Sequence, residues 1–511
     1  MTNWRRASLG LCLVVLALNA WHILAQKAPP AWDDGWYLEW SFRFFYALKR
    51  GLWDFAAAYA ESFRMKAPLI SVLPLPVYAL AGPGERAALW VNEAALAAIM
   101  WFTFRIGRRL YGEAAGWAAA VAVGLMPIIY GLSRFFYPET ALVAILLWTL
   151  DIILEAGPAD RKAGLKLGIA VGLGLLAKVS FPAFLVGPVW FRRKELMPHA
   201  KKAMLAAVLV ASTWYAFNAP YVLGHALSSG FGDISKDYGG GAASWGGLWT
   251  FLSQVVFHAL SWPMALAAGA VLLAAWTSWW ARPRSWRISE PGRFLLSWAA
   301  LPVILVLLAG NRQVRYLAPV LPALAVVLGA AAADLGKKAS GKAALMVLVL
   351  APLAVLLSQT LGIPRPRTMF FNGPPSMDAG WDRAAIIDAL KSGFPDGAVV
   401  AVGLEHPLMN ANNLASLSAS QGLRYSFVNL VQGGRTTEDA LIRLKDKGAS
   451  CLVMFEGDLP AEIDAPYDFL NRANQGVRRN LEEGKLPAAK LSAAPVAPGV
   501  RAVLYRLRNL P

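Results

Sequence analysis

Apolar runs of about 17 to 25 residues recur along the first 362 positions of this chain, and nothing else in the sequence constrains its fold so strongly. Most of these runs are long enough to cross a hydrocarbon core of about 30 Å as a helix. Inside lipid the backbone must satisfy its own hydrogen bonds, so repeated crossings imply a bundle of helices. The runs lie near 8–25, 87–104, 114–130, 139–155, 163–177, 180–191, 203–219, 255–280, 294–310, 317–333 and 343–362, which predicts about eleven transmembrane helices. With 57% hydrophobic and only 16% charged residues, the chain has more apolar surface than a soluble core of this length needs.

The formal charge of +17 follows the same pattern. Lys and Arg gather in every second loop: Arg5 and Arg6; Arg105, Arg108 and Arg109; Arg161, Lys162 and Lys166; Arg192 to Lys202; Arg282 to Arg293; and Lys337, Lys338 and Lys342. Basic loops stay cytoplasmic. The N-terminus is therefore expected inside, and an odd number of crossings sends the C-terminus outside the plasma (inner) membrane. No basic groove or aromatic-basic motif points to nucleic acid. The first run resembles a signal peptide in its flanking Arg5 and Arg6 and in Ile23-Leu-Ala25, but its length favours a retained helix. Two cysteines, Cys12 and Cys451, exclude a disulfide framework.

Two outer segments are too long to be turns. Residues 26–86 contain an amphipathic stretch, Tyr37 to Phe63, that reads as helices lying on the membrane surface. Residues 218–254 carry Gly239-Gly-Gly241 beside Tyr238 and read as a long glycine-rich loop. After Gly362-Ile-Pro-Arg-Pro-Arg367 the apolar runs shorten to strand length. Strands at 398–404, 425–430, 450–455 and 500–507 alternate with helices at 381–392, 410–421, 436–447 and 466–482, which predicts a small α/β domain with a largely parallel sheet. The fold class is thus a polytopic α-helical membrane domain over 1–362 and an extracytoplasmic soluble α/β domain over 363–511. The latter has no glycine-rich phosphate fingerprint.

Unusual charges collect at helix ends on the outer side. Asp33 and Asp34 follow the first helix within Trp32-Asp-Asp-Gly-Trp-Tyr37. Lys66 precedes Pro68, Ser133-Arg134 leads to Glu139, Lys178 follows Gly172-Leu-Gly-Leu-Leu-Ala, and Arg312 and Arg315 precede Tyr316. Ionisable groups at membrane depth cost about 2.5–3.5 kcal/mol each on insertion scales, and their default reading is a lined cavity or functional site. The bland alternative is an ion pair between Arg134 and Glu139, with Lys178 snorkelling to water. Paired carboxylates repel, so Asp33 and Asp34 are the hardest to explain as a solvated loop. The histidines, His22, His199, His225, His258 and His406, show no ligand spacing, and no metal is assigned; divalent metal use stays open.

These elements resemble the GT-C class of membrane glycosyltransferases, in the branch of protein O-mannosyltransferases and the lipid A aminoarabinose transferase. Asp33-Asp34-Gly-Trp-Tyr37 is similar to that family's Asp-Glu-x-x-Tyr, Lys66-Ala-Pro68-Leu69 to its Lys-Pro-Pro-Leu, and Ser133 to Glu139 to its Ser-Arg-x-x-x-x-Asp. Gly172 to Lys178 resembles its "GLALLTK" turn and Arg315 to Leu324 its "RYLLPLLPAL" element. Asp34, Ala67 and Glu139 depart from the pattern. The resemblance implies a polyprenyl-phosphate-linked sugar as donor and a lipid, polysaccharide or protein hydroxyl as acceptor. It implies Asp33 as base with Asp34 beside it, Lys66, Arg312, Arg315 and Tyr316 on the donor phosphate, and Tyr37, Arg134, Glu139 and Lys178 nearby. The alternative is a transporter or flippase for a lipid-linked or polar solute. Against it, the charges gather at one face and no inverted repeat is visible.

Overall fold

The computed structural model describes residues 2–30, 32–232, 245–280, 288–336, 339–363, 369, 371–377, 380–430, 436–459 and 468–508. Tyr238 with Gly239-Gly-Gly241, the basic residues Lys236, Arg282, Arg284, Arg287, Lys337 and Lys338, and the Pro364 to Arg367 stretch lie outside them. The chain divides into two compact units. The first comprises Met1–Leu24, Tyr59–Ile70 and Leu89–Pro374, and the second Ala25–Ala58, Ser71–Ala88 and Pro375–Pro511. Two stretches from the long segment after the first helix are thus grouped with the C-terminal region, an assignment that hydropathy has no means to make.

The first unit is helical. Among the described residues Trp4–Ala25, Glu85–Tyr111, Arg193–Ser229 and Glu290–Leu308 are each long and apolar enough to cross a membrane, and Trp245–Ala259 with Trp262–Thr277 forms a pair bent by 96°. Ala163–Ala177, Leu321–Leu335 and Met346–Leu361 are apolar but shorter. Eleven is therefore not a number that the helices themselves yield, although a multi-pass membrane protein is. Several expected spans are broken, and proline explains where. The run at 114–130 divides into Glu113–Gly124 and Pro127–Leu132, with Pro127 opening the second piece as proline does at a first helical turn. The bend near residue 260 has Ser261 at φ 64° ahead of Pro263. The outer segment expected as a loop from residue 218 is helical through Phe231; Pro220 lies within that helix without ending it.

Small residues let these helices approach closely. A methyl group added at Gly168 would collide with the Ala203 carbonyl and the Ala206 side chain, and one at Gly329 with the Ala115 carbonyl. Ala163–Ala177 thereby packs on Ala200–Phe231, and Leu321–Leu335 on Glu113–Gly124, as small residues permit in lipid, where no hydrophobic force draws helices together.

The second unit is built on a five-stranded sheet: β1 (Val399–Val402), β2 (Ser426–Asn429), β3 (Cys451–Gly457), β4 (Ala488–Ala497) and β5 (Val500–Leu507), in the order β2-β1-β3-β5-β4. β1 is parallel to both β2 and β3, whereas β5 is antiparallel to β3 and β4. The sheet is thus mixed where a largely parallel one was expected. Strand β4 was not foreseen because its sequence, rich in alanine and interrupted by Pro495, carries little strand signal, and an edge strand is where proline is tolerated.

Alternation along the strands sorts two cores. Val400, Val402, Cys451, Val453 and Phe455 face Ile386 and Leu390 of helix Arg383–Gly393 and Leu414 of helix Ala411–Ser420. Ala401, Leu452 and Met454 face Ala440 and Leu444 of Thr437–Asp446 and Val477 of Asp468–Glu482. Asn410 with Asn413, and Thr436 with Asp439, close reciprocal caps at the starts of two of these helices, each satisfying backbone donors that would otherwise be orphaned.

The amphipathic stretch after residue 33 forms two helices, Asp33–Arg50 and Leu52–Glu61. The first does not lie on a membrane surface along its apolar face. It buries Leu38, Phe42 and Phe44 and packs on helix Ala411–Ser420, with Tyr46 Oη donating to the Ser420 carbonyl at 2.8 Å and Arg43 Nη2 to the Tyr425 carbonyl at 3.0 Å. The second buries none of its residues, and Trp53 is 89% exposed. An interfacial position suits that helix alone.

Candidate functional site

Three of the sequence motifs converge in the first unit. Glu139 lies in the first turn of helix Pro138–Glu155, where Pro138 at the helix start fixes the backbone and the helix dipole favours an acid. Lys178 is the residue that caps the end of Ala163–Ala177, where the dipole favours a cation. Arg315 and Tyr316 occupy a short 3-10 turn, Val314–Leu317. Lys178 Nζ lies 2.9 Å from Glu139 Oε1, and Arg315 Nε 3.5 Å from the same oxygen. The carboxylate is 2% exposed, the lysine 26% and the arginine 14%. One buried acid therefore holds two cations that still reach solvent.

Aromatic rings wall this cluster. Lys178 Nζ stands 4.7 Å from the Tyr316 ring centroid, and the Arg315 guanidinium 5.1 Å from that of Tyr137 and 5.6 Å from that of Tyr316. Such contacts stabilise cations where water is scarce. The net charge of the three ionised groups is one positive, so the site favours an anion. Arg312, on the same connection, donates from Nε to the Ala309 carbonyl at 3.0 Å, and Asn311 Nδ2 approaches Tyr316 Oη at 3.5 Å.

Arg134 goes elsewhere. Five residues before Glu139, it does not pair with that acid; its Nε donates to Asn19 Oδ1 at 3.0 Å, its Nη2 to Thr360 Oγ1 at 2.6 Å, and its Nη1 reaches the Gln359 carbonyl at 3.4 Å. Asn19 in turn donates to Glu93 Oε2 at 2.7 Å and Ser133 Oγ at 3.0 Å. All are buried. The snorkelling and ion-pair readings are thus both replaced, with Lys178 taking the place given to Arg134. The sequence does carry a signal for the Arg134 network: Asn19 and Glu93 are polar residues inside apolar runs, where each needs a partner.

Lys66 is half-buried in the first unit, just beyond Phe63 and Arg64, both at positive φ. Asp33, Asp34 and Tyr37 belong to the second unit. The two acids open helix Asp33–Arg50, again at the end where the dipole favours them; Asp34 is buried and Asp33 half-buried. Tyr37 is buried, and its carbonyl accepts from Ser71 Oγ at 2.7 Å. Trp32, which precedes the acids, has no motif role by sequence but is tied down in the structure. Its indole Nε1 donates to Glu405 Oε2 at 3.2 Å, and its carbonyl accepts from Asn412 Nδ2 at 2.9 Å. No sequence spacing links residues nearly four hundred positions apart. Among the described residues no group of three His, Cys, Asp or Glu side chains converges as metal ligands would.

Residues 65–218 match the family described as dolichyl-phosphate-mannose-protein mannosyltransferase. Over 273 residues, 48% of this chain, the sequence is 25% identical to the undecaprenyl phosphate-alpha-4-amino-4-deoxy-L-arabinose arabinosyl transferase of Aeromonas salmonicida (strain A449), and the match spans 45% of that relative's length. The chain thus aligns with about half the length of the curated relatives it matches. In fold it is similar to ArnT from Cupriavidus metallidurans bound to undecaprenyl phosphate, with a TM-score of 0.61 at 15% identity, covering 100% of this chain and 99% of that one. It is also similar to the Archaeoglobus fulgidus oligosaccharyltransferase, with a TM-score of 0.57 at 12% identity, covering 96% and 73%. In fold, and in sequence over part of its length, the chain is thus similar to membrane glycosyltransferases of the protein O-mannosyltransferase and aminoarabinose transferase kind.

Proposed function

We propose that the chain transfers a sugar from a polyprenyl-phosphate donor to an acceptor hydroxyl on the outer face of the membrane. The observation that carries this reading is the convergence of Lys178, Arg315, Tyr137 and Tyr316 around buried Glu139, a cationic, aromatic-walled site suited to a phosphate. Lys66 and Arg312 are further cations for the same group. An undecaprenyl-phosphate sugar is the donor class, in keeping with the names of the relatives.

In the transfer, the acceptor oxygen attacks the anomeric carbon as the carbon–oxygen bond to the phosphate breaks. The leaving electron pair goes to the phosphate oxygen, where cations stabilise the growing charge. The hydroxyl proton passes to Asp33 as general base, with Asp34 orienting it. One displacement without a covalent intermediate inverts the anomeric configuration. The acceptor is a glycolipid, a polysaccharide or a protein. The region from residue 363 is an extracytoplasmic α/β domain, and the transmembrane region over 1–362 admits the donor's lipid tail.

The test is incubation of the purified protein with a radiolabelled polyprenyl-phosphate sugar and membrane acceptors. Released polyprenyl phosphate and an acceptor product of inverted configuration support the reading. Passage of the intact donor between leaflets without cleavage would establish a flippase instead. A phosphatase fused after Pro511 should be active; activity only from a cytoplasmic reporter there would reverse the topology.

A further inference from the structure

In an open α/β sheet, ligands bind outside the carboxyl ends of the strands, where adjacent connections leave to opposite faces. Here that place lies between β1 and β3, where the strand order reverses. The chain leaves β1 for helix Ala411–Ser420 on one face, and helix Asp468–Glu482, which follows β3, lies on the other. Glu405 stands just beyond β1, buried and hydrogen-bonded to Asn429, the last residue of β2. Its own backbone is clamped, the amide donating to Asn471 Oδ1 at 3.0 Å and the carbonyl accepting from Asn471 Nδ2 at 2.9 Å. Glu405 at this position meets Trp32.

Trp32 is held at both ends, its indole by Glu405 and its carbonyl by Asn412. Its backbone is at φ 46° and ψ −119°, a conformation that a bulky residue adopts only when its surroundings enforce it. The next residues are Asp33 and Asp34. On the same turn Gly35 lets helix Asp33–Arg50 approach so closely that a methyl group there would stand 2.9 Å from the Asn412 carbonyl oxygen. The first turn, which carries the acids, is thus held to the α/β domain at Trp32 and Gly35, and the same helix is held again farther along by Arg43 and Tyr46.

We propose that Glu405 and Asn412 are positioning residues for the transfer step: through Trp32 they set the direction of the turn bearing Asp33 and Asp34. The ligand-binding end of the α/β domain thus serves as the seat of the acid-bearing helix. The proposal rests on the reading of Asp33 as base.

The experiment compares Glu405→Leu, Glu405→Gln, Trp32→Phe and the double variant Trp32→Phe/Glu405→Leu with Asp33→Asn in the full chain, using the radiolabelled donor. Leucine removes the acceptor for the indole, whereas glutamine keeps one. Glu405→Leu should lower kcat about ten- to hundredfold, the effect of a misplaced catalytic group, with donor KM changed less than about twofold. Glu405→Gln should recover most of that loss, and the double variant should be no slower than the worse single one. An unchanged kcat in both Glu405→Leu and Trp32→Phe, or losses that multiply in the double variant, would overturn the proposal. Should Glu405→Leu fail to fold, Trp32→Phe alone decides: a fall in kcat at constant KM supports the proposal, and the parent rate refutes it. Asp33→Asn separates the two levels. If it is inactive while the Glu405 and Trp32 variants run at the parent rate, only the positioning role fails; if it retains the parent rate, the base assignment fails first.

Discussion

Replacing Glu139 by glutamine removes one charge from the three-residue cluster and almost nothing else. With an effective dielectric constant of about 20, charges 2.9 and 3.5 Å apart attract by about 6 and 5 kcal/mol. Most of this gross attraction is cancelled by the cost of taking the carboxylate, 2% exposed, out of water. Breaking a fully buried pair costs about 3–5 kcal/mol, because the partner is left charged and dry. Lys178 and Arg315 retain access to solvent and rehydrate in part, so a loss of about 2 kcal/mol in folding stability is the expected value. The kinetic effect is of a different kind. The two cations become more available to a phosphate but lose the oxygen that aims them, so kcat should fall about ten- to hundredfold while donor KM stays level or falls. Glu139→Asp keeps the charge and should recover part of the kcat loss. The variants are to be measured in detergent by denaturant titration and by steady-state transfer of the labelled sugar. Glu139→Gln with parent stability and parent kcat would refute the view that this carboxylate organises the site, and a large rise in donor KM at constant kcat would make it a direct donor contact instead.

Lys66→Ala and Arg315→Ala should each raise donor KM with the fold intact, by about 1.5–3 kcal/mol of lost charge-assisted hydrogen bonding, or roughly ten- to a hundredfold; donor titrations check this. Asp33→Asn should lower kcat about 10²- to 10⁴-fold with donor binding retained, since asparagine matches the shape of the base but cannot take the proton, and Asp34→Asn should cost less; the reverse order would exchange their roles. Burial raises the Glu405 carboxyl from 4.5 to about 7. Between those values the unfolded chain releases the proton while the folded one keeps it, so stability is greatest below about pH 4.5 and falls as pH rises toward 7, by about 3 kcal/mol in all. Glu405→Gln should flatten that part of the pH–stability profile, as read by melting the full-length variants across the range.

The membrane character of the chain was legible because hydropathy and the alternation of basic loops report it redundantly, and the motifs at helix ends marked Glu139, Lys178, Arg315 and Tyr316 before any geometry was known. Their partnership was not legible. Spacing made Arg134 the natural mate of Glu139, but the chain turns between them, and Arg134 faces Asn19 and Thr360 while Glu139 faces cations from two other connections. In the α/β region, strands with branched residues stood out, whereas β4, with five alanines and a proline in ten positions, did not. The burial of helix Asp33–Arg50 was hidden for a general reason: an apolar face looks the same in sequence whether lipid or protein covers it. Trp32 and Glu405 meet only through tertiary packing, so no local rule finds them.

The Arg134 network also bears on the order of synthesis. Asn19, His22 and Glu93 are made early, and Thr360 and Gly373, which complete the hydrogen bonds of Arg134 and His22, are made last. Until then a nascent chain carries the Arg134 guanidinium and the His22 ring inside its apolar helices with only some of their partners in place. Such groups are costly to leave unsatisfied in lipid. The early helices therefore cannot reach their final packing one by one as they enter the bilayer. Completion of the network waits for residue 360 and beyond, so a ribosome stalled before that point should leave a membrane-inserted bundle in which Arg134 and His22 still lack part of their hydrogen bonds.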